Sequence, residues 1–207
     1  RYVRVLPSRQ HLRKVPGEMN PRFLYIVPAE TRSRIAGETR LQHLRRILLE
    51  RRHQRPSGGA KIIYQHCDLL NQLGVLAHPV HMGRFNLDWF PHECSPMQSK
   101  QALRELRPDD VVVCPEVIPE AAAPFAGARR IVFVQGWSLV GDRDYAAMGF
   151  ERVLTVSSFC QEFMQKKTAL PCHRVTNGID LREFKPRPEN RVSGRVLYLA
   201  RKQPELA

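Results

Sequence analysis

Phe23-Leu24-Tyr25-Ile26-Val27 opens the stretch of sequence that decides the fold. Such a continuous apolar run is typical of a central parallel strand that is buried on both faces. The segment from Ala60 to Leu73 then carries a broad apolar helical face, and Gly74 is a natural residue to end that helix. Val75 to Val80 is strand-like again. A strand, a glycine-containing loop, a helix and a second strand form a βαβ unit with an expected right-handed crossover.

The rest of the chain repeats this alternation of short apolar strands and helices. His81 to Met97 interrupts it as an irregular loop. Ser99 is expected to cap one helix, and Ser158 with Gln161 forms a capping box for another. Further strands are predicted at Val111–Cys114, Ile131–Val134 and Val153–Val156, and helices at 99–106, Pro119–Phe125 and Ser158–Lys167. The pattern predicts an α/β protein with a Rossmann-like, doubly wound parallel sheet.

Composition narrows the class of protein further. The 207 residues, 43% of them hydrophobic, suit one domain and part of another, without an apolar run that could span a membrane. Five cysteines without a Cys-x-x-Cys pair favour reduced, mostly buried thiols over a disulfide framework. His78, His81, His92 and Cys94 cluster in sequence, but their spacing fits no standard zinc pattern. Neither a metal nor a cofactor is predicted.

The net charge of +13 belongs mainly to the front of the chain. Residues 1–55 hold 14 Lys/Arg against 4 Asp/Glu, which is +10 of the total. Nucleic acid is therefore not a predicted partner, because such a partner would require basic residues across a folded face. The segment from Glu38 to Arg55 has the pattern of a basic amphipathic helix. It is a surface helix packed on its own domain, an interfacial helix for anionic lipid, or disordered.

The opening residues, Arg1 to Glu18, are rich in arginine and contain no apolar stretch that could act as a secretory signal. Met19, followed closely by the first strand, looks like a natural protein start. Residues 1–18 are thus predicted to be an unfolded extension. The protein is expected to be cytoplasmic, or peripheral at the inner face of the membrane.

The stretch from Val175 to Pro186 reads Val-Thr-Asn-Gly-Ile-Asp-Leu-Arg-Glu-Phe-Lys-Pro. Asn177 and Gly178 tolerate positive φ, and Asp180 can bond to its own backbone, so a tight turn after a strand is predicted. The stretch also resembles the Asn-Gly-Val/Ile-Asp…Phe…Pro signature of family-4 glycosyltransferases of the GT-B type. In that family the signature closes the first Rossmann-like domain and leads into the second.

Other stretches extend this resemblance. Ser57 to Val80, with Trp89-Phe90 downstream, is similar to a bacterial subgroup of family-4 enzymes. Val196 to Lys202 resembles the first strand of their second domain, with Ala200 in place of a proline. The resemblance implies an amino-terminal, acceptor-side domain at 19–186 with a basic helical insertion at 31–56. Residues 187–207 would be the linker and the start of a truncated nucleotide-sugar domain.

The resemblance also assigns residues that bind the donor diphosphate. These are the glycines of a loop beside the first helix and a basic pair after the second domain's first strand: Gly58, Gly59, Arg201 and Lys202. Arginine offers a bidentate fork and lysine a point charge to phosphate oxygens, and a helix start adds partial positive charge.

Candidate substrate contacts lie beyond the strand ends and in the signature, because ligands of open parallel sheets bind at the carboxyl ends of strands. They are Ser57, Glu116, Gln135, Trp137, Asn177, Gly178 and Asp180. Two of them have a second interpretation. Trp137 either stacks on a sugar ring or belongs to the core, and Glu116 either contacts a sugar hydroxyl or caps the following helix. His66 is expected to be a packed histidine.

The function implied by the resemblance is hexosyl transfer from a nucleotide-diphosphate sugar to a saccharide or lipid-linked acceptor in cell-envelope polysaccharide synthesis. Retention of configuration is expected, without an obligatory metal, and no catalytic residue is assigned. The 207-residue chain alone is predicted to be inactive. The alternative is a non-enzymatic basic α/β module that docks on anionic membrane, or on a partner, through residues 38–55.

Overall fold

The computed structural model describes residues 21–28, 39–42, 58–83, 90–178, 185, 189 and 192–194. Predictions that fall elsewhere lie outside the described residues. These include the extension at 1–18, most of the basic insertion, Trp89, and the strand expected at Val196 to Lys202.

Seven parallel strands form a single sheet. They are β1 (Phe23–Val27), β2 (Ala77–His81), β3 (Met97–Gln98), β4 (Val111–Pro115), β5 (Arg129–Val134), β6 (Arg152–Thr155) and β7 (Cys172–Arg174). Their order in the sheet is β3-β2-β1-β4-β5-β6-β7, and every neighbouring pair is parallel. The predicted Rossmann-like α/β sheet is confirmed.

Helices connect the strands. They are α1 (Gly58–Gln72), α2 (Ser99–Arg104), α3 (Ser158–Lys167) and two 3₁₀ helices at Pro119–Phe125 and Trp137–Leu139. Gly74 follows α1 with a φ of +82°, as its predicted capping position requires. Within the described part of the chain, no helix has the length and hydropathy needed to cross a membrane.

Both faces of the sheet are buried, because strand residues alternate between two apolar clusters. On β1, Leu24 and Ile26 belong to the cluster that includes Phe125 and Met164, the latter from α3. Tyr25 and Val27 belong to the other, which packs against α1. This double burial explains why β1 and β4 read as nearly continuous apolar runs. All five cysteines are free thiols, four of them buried, as predicted.

Three local predictions were wrong in detail. The loop expected to be irregular from His81 to Met97 is bounded by strand residues, because His81 ends β2 and Met97 begins β3, whose two residues are too few to give a period. Ser99 does not cap α2, whose N-cap is Gln98 without a side-chain bond. The cap of α3 is Ser157, which accepts from the Cys160 N–H, whereas the side chain of Gln161 donates to the carbonyl of Cys172.

Of the tight turn predicted at 177–180, the structure describes only Asn177 and Gly178. Neither residue has a positive φ, and the chain from Val175 to Gly178 has no turn assignment. Instead, the Val175 N–H donates to the carbonyl of Thr155 at 2.8 Å, which continues the pairing of β6 with β7 by one residue. Asn-Gly permits positive φ but does not require it.

The chain divides into two compact units, Arg1–Thr176 and Asn177–Ala207. The first contains the whole sheet. Of the second, the structure describes a few residues, among them an exposed Val192 and a Gly194 with a φ of +73°. The domain boundaries expected at residues 186 and 187 remain a prediction.

The basic segment begins as a helix where the sequence places one. Residues 40–42 are helical. Thr39 and Gln42 form a reciprocal capping box, in which Thr39 Oγ1 accepts from the Gln42 N–H and Gln42 Oε1 accepts from the Thr39 N–H. Leu41, one residue inside this start, is 80% exposed.

A buried ion pair ties the amino-terminal ends of β1 and β4 together. Arg22 donates from Nε and Nη2 to the two carboxylate oxygens of Asp110 at 3.0 and 2.7 Å, and Nη2 also donates to the carbonyl of Glu105. Both side chains are at least 95% buried. Removing one partner would leave an uncompensated charge in the interior.

We predict that Arg22→Ala lowers the free energy of unfolding by about 3–5 kcal/mol. The matched control is Arg129→Ala, because the Arg129–Glu151 pair is about half exposed on both sides and should contribute at most about 1 kcal/mol. Urea denaturation of both variants measures the difference. Similar losses in the two variants would contradict the structural role of Arg22.

Candidate functional site

The strand order reverses direction between β1 and β4. The strands continue from β1 through β2 to β3 on one side and from β4 through β7 on the other. Loops that follow β1 and β4 therefore leave towards opposite sides, and a crevice at this switch point is where open α/β sheets bind ligands. Glu116 directly follows β4, and Gln135 directly follows the neighbouring β5.

Glu116 is a buried carboxylate that holds the loop after β5. Its Oε1 accepts from the backbone N–H groups of Gln135 at 3.1 Å and Gly136 at 2.7 Å. The residue is 1% exposed. The carboxylate does not cap the following 3₁₀ helix, whose N-cap is Ile118 without a side-chain bond. The helix-cap interpretation of Glu116 was therefore wrong.

Burial raises the pKa of Glu116, because the charged form is poorly solvated there. Hydrogen bonds from the Gln135 and Gly136 N–H groups lower the pKa, but only in part. A carboxylate in such a position is more easily protonated than one at the surface. Clefts that hold groups with a shifted pKa are common functional sites.

Gln135 joins this loop to the start of α1. Its side-chain Nε2 lies 3.5 Å from the carbonyl of Gly59, a long hydrogen bond. A Cβ on Gly59 would lie 3.4 Å from Oε1 of Gln135, an ordinary van der Waals contact, so this approach does not require a glycine. Gly58 and Gly59 belong to the first turn of α1 rather than preceding it, and Gly58 faces open space.

Arg143 fixes the same loop from its far end. Its Nη1 donates to the carbonyls of Glu116, Leu139 and Val140 at 3.4, 3.3 and 3.0 Å. Its Nε donates to Glu120 Oε1 at 3.1 Å. The loop after β5 is thus held by Glu116 at its beginning and by Arg143 at its end.

Trp137 belongs to the surface and not to the core. It is 51% exposed, and its ring meets Phe159 and Phe163 of α3 edge to face at centroid distances of 6.0 and 5.9 Å. Phe159 is 58% exposed and Leu139 53% exposed. Because the loop is anchored at both ends, this exposed indole has a fixed place.

The structure brings together Gly59, Glu116 and Gln135, with Trp137 two residues further along the same loop. It does not bring Asn177 and Gly178 into this group by any described hydrogen bond. Gly178 is exposed, while Asn177 Oδ1 is buried and has no hydrogen-bond partner in the part of the chain that is described. Ser57, Asp180, Arg201 and Lys202 lie outside the described residues.

A second buried polar cluster lies at the carboxyl end of β2. The Tyr64 hydroxyl lies 2.6 Å from His81 Nε2, and the Tyr64 ring also contacts Phe90 and His92. Burial lowers the pKa of His81 to about 4, with a smaller contribution from His92. His78 contacts the carbonyl of Ser95 instead. Within the described ranges, no three His, Cys, Asp or Glu side chains are grouped so as to hold a metal.

His66 packs as the sequence suggested. Its ring lies edge to face with Tyr25 of β1 at 5.9 Å and tilted against Phe133 of β5 at 5.2 Å. Burial lowers its pKa.

Sequence reasoning missed Arg143 and Phe159. Three of the four described bonds of Arg143 go to backbone carbonyls, which any residue supplies, so no motif marks them. No motif marks Phe159 either. Its position in the first turn of α3 was a signal that it faces the same edge as Trp137.

Neither a known protein family nor a curated protein matches this chain in sequence. The structure therefore defines the class: the chain is an all-parallel α/β protein in which hydrogen bonds link Gly59, Gln135 and Glu116 at the switch point of the sheet.

We predict that Glu116→Gln lowers the free energy of unfolding by at most about 1 kcal/mol, because the amide oxygen can accept the same two N–H groups. Glu116→Ala should cost about 2–4 kcal/mol, since it leaves two buried donors without acceptors. Urea denaturation distinguishes the two. Equal losses would show that the hydrogen bonds to Gln135 and Gly136 do not matter for stability.

We also predict that the free energy of unfolding decreases as the pH is lowered, because the unfolded chain binds a proton at His81 more readily than the folded protein does. Its pKa is about 4 in the folded protein against an ordinary 6.5, so the unfolded chain binds more protons between these values. The contribution of neutral His81 to the free energy of unfolding is present above pH 6.5 and is lost as the pH falls towards 4. Between pH 7 and pH 5 we expect a loss of about 2 kcal/mol that His81→Gln abolishes.

The control for this experiment is His173→Gln, at an exposed histidine of β7. Urea midpoints at both pH values, for wild type and the two variants, provide the measurement. A pH dependence unchanged in His81→Gln would refute the assignment.

Proposed function

We propose that this chain forms the acceptor side of a glycosyltransferase, which moves a hexose from a nucleotide-diphosphate donor to a saccharide or lipid-linked acceptor. The observation that carries the proposal is the junction of Gly59, Glu116 and Gln135 at the switch point of the sheet. Ligands of parallel sheets bind at this kind of position.

The Asn-Gly-Ile-Asp signature supports the same class. In the enzymes it resembles, the signature stands between two domains, and here the second compact unit begins at Asn177. The resemblance further implies retention of configuration and no obligatory metal. The acceptor would belong to cell-envelope polysaccharide synthesis at the inner face of the membrane.

Under this proposal the described residues position the acceptor. Glu116 and Arg143 hold the loop after β5 rigid, which keeps Gln135 and Trp137 in place before a substrate arrives. Stabilisation of the leaving diphosphate would fall to Arg201 and Lys202, whose cations suit phosphate oxygens. Gly58 and Gly59 lie in the first turn of α1, whose N–H groups suit an anion. None of the described residues is assigned a catalytic role.

The test uses the natural protein in its full length. Incubation with UDP-, GDP- and ADP-sugars and a panel of saccharide and lipid acceptors should give labelled product and free nucleoside diphosphate. Arg201→Ala should lower turnover about a hundredfold, because one cation on the leaving group is lost. Arg152→Ala, at an exposed arginine of β6, should leave turnover unchanged. Absence of transfer from every donor would rule the proposal out.

A non-enzymatic module that docks on anionic membrane is the second candidate. The observation in its favour is Leu41, an 80% exposed leucine beside Arg40 at the start of the basic helix. An apolar residue among arginines suits the boundary between lipid head groups and acyl chains.

Flotation with phosphatidylglycerol vesicles tests this candidate. Leu41→Asp should weaken vesicle binding, whereas Leu76→Asp, at a leucine 47% exposed outside the basic helix, should not. Binding that is the same in both variants would remove the helix from consideration as a membrane contact.

A further inference from the structure

The side-chain carbonyl of Asn177 is shielded from solvent but has no hydrogen-bond partner among the described residues. Polar atoms in such places are bonded in nearly all folded proteins, because a shielded acceptor without a donor costs free energy. Rotation of this side chain away from its position therefore forfeits no hydrogen bond of that oxygen. The amide of Asn177 is not held in place as a buried asparagine normally is.

The next residue, Gly178, leaves the neighbourhood of this amide open. Gly178 is exposed and lies outside the helices and strands, and its N–H donates to no described backbone carbonyl. A Cβ added to Gly178 would meet no described atom within 4 Å. Glycine also has no side chain that could block the approach to its own nitrogen. The backbone nitrogen of Gly178 is thus free to approach Cγ of Asn177.

Asn71 is the other asparagine in the part of the chain that the structure describes, and its surroundings are the opposite. Its Nδ2 donates to the carbonyl of Ala77 and its Oδ1 accepts from the Ala77 N–H, both at 2.9 Å. The following residue, Gln72, belongs to α1, where backbone N–H groups are bonded to carbonyls four residues earlier. Both the amide of Asn71 and the nitrogen after it are therefore restrained.

We propose that Asn177 is a site of spontaneous deamidation in the folded protein. The Gly178 nitrogen gives its proton to hydroxide and attacks Cγ of Asn177, which closes a five-membered imide. The bond from Cγ to Nδ2 breaks, and Nδ2 takes a proton from water and leaves as ammonia. Water then opens the imide at either carbonyl, which gives aspartate or isoaspartate at position 177. Water is the only co-reactant, and nothing is oxidised or reduced.

The modification changes the residue at which the second compact unit begins. A neutral amide with two N–H donors becomes a carboxylate that only accepts. In the isoaspartate product the backbone also runs through Cβ, so the chain is longer by one carbon at this point. The inference concerns the chemical lifetime of the chain and does not depend on the proposed function.

Peptide mapping by mass spectrometry tests the proposal on the natural protein in its full length, kept folded at mildly alkaline pH. The tryptic peptide from Val175 to Arg182 reports Asn177. Its amide should become an acid within about fivefold of the rate in the same peptide free in solution, because no described bond restrains the reacting atoms. Labelling by an isoaspartate methyltransferase identifies the second product. Asn71, in the same digest, should remain an amide over the same time.

Gly178→Ala is the matched variant. Gly178 has no positive φ and has room for a methyl group, so the variant should fold as wild type does. The added Cβ hinders the attacking nitrogen and should slow the conversion of Asn177 about tenfold or more. The control is Gly127→Ala, at another exposed glycine with room for a Cβ, which should leave the rate unchanged.

The proposal fails on any of three results. The first is conversion in the folded protein that is slower, relative to the free peptide, than the about fivefold limit given above. The second is an equal rate in Gly178→Ala and wild type, since the attack would then not pass through the Gly178 nitrogen. The third is conversion of Asn71 as fast as that of Asn177, because the hydrogen bonds of Asn71 would then offer no protection.

Discussion

A parallel sheet buried on both faces is the constraint on which this molecule depends. Each strand must supply apolar side chains in both directions, and the two clusters divide β1 between them, Leu24 and Ile26 against Tyr25 and Val27. Polar chemistry is then confined to the two ends of the strands. At the amino-terminal ends, Arg22 and Asp110 form an ion pair that holds β1 beside β4. At the carboxyl ends, Glu116 holds the loop from which a ligand would be contacted.

These two carboxylates show how similar burial leads to different roles. Both carboxylate oxygens of Asp110 accept hydrogen bonds from the guanidinium of Arg22, so they are not available to bind a ligand. Glu116 is satisfied on one oxygen by two backbone N–H groups, which is enough to keep it in place. Its position costs stability through poor solvation, and the raised pKa reflects this. A buried acid with a raised pKa at a switch point is the strongest reason to look for function there.

Much of the fold could be predicted from the sequence, because β1, β4, β5 and β6 are apolar runs that only a doubly covered sheet accommodates. Elements whose residues show no hydrophobic periodicity were predicted less well. The two-residue β3 carries no pattern, and the cap of α3 is Ser157 rather than Ser158, because two adjacent serines look alike in sequence. Asn177-Gly178 has turn chemistry, but neither residue has a positive φ, because these residue types permit that conformation without requiring it.

The sequence alone determined the class of architecture, the burial of the thiols and the list of residues at strand ends, because these follow from local pattern and from the polarity of a parallel sheet. It could not decide what the residues at those ends do. Whether Glu116 caps a helix or holds a neighbouring loop depends on which backbone N–H groups lie within hydrogen-bond distance of its carboxylate, and those belong to residues 19 and 20 positions further along. Whether Trp137 is core or surface likewise depends on where α3 packs. Contacts between residues distant in the chain carry no local signal, so only the tertiary structure settles them.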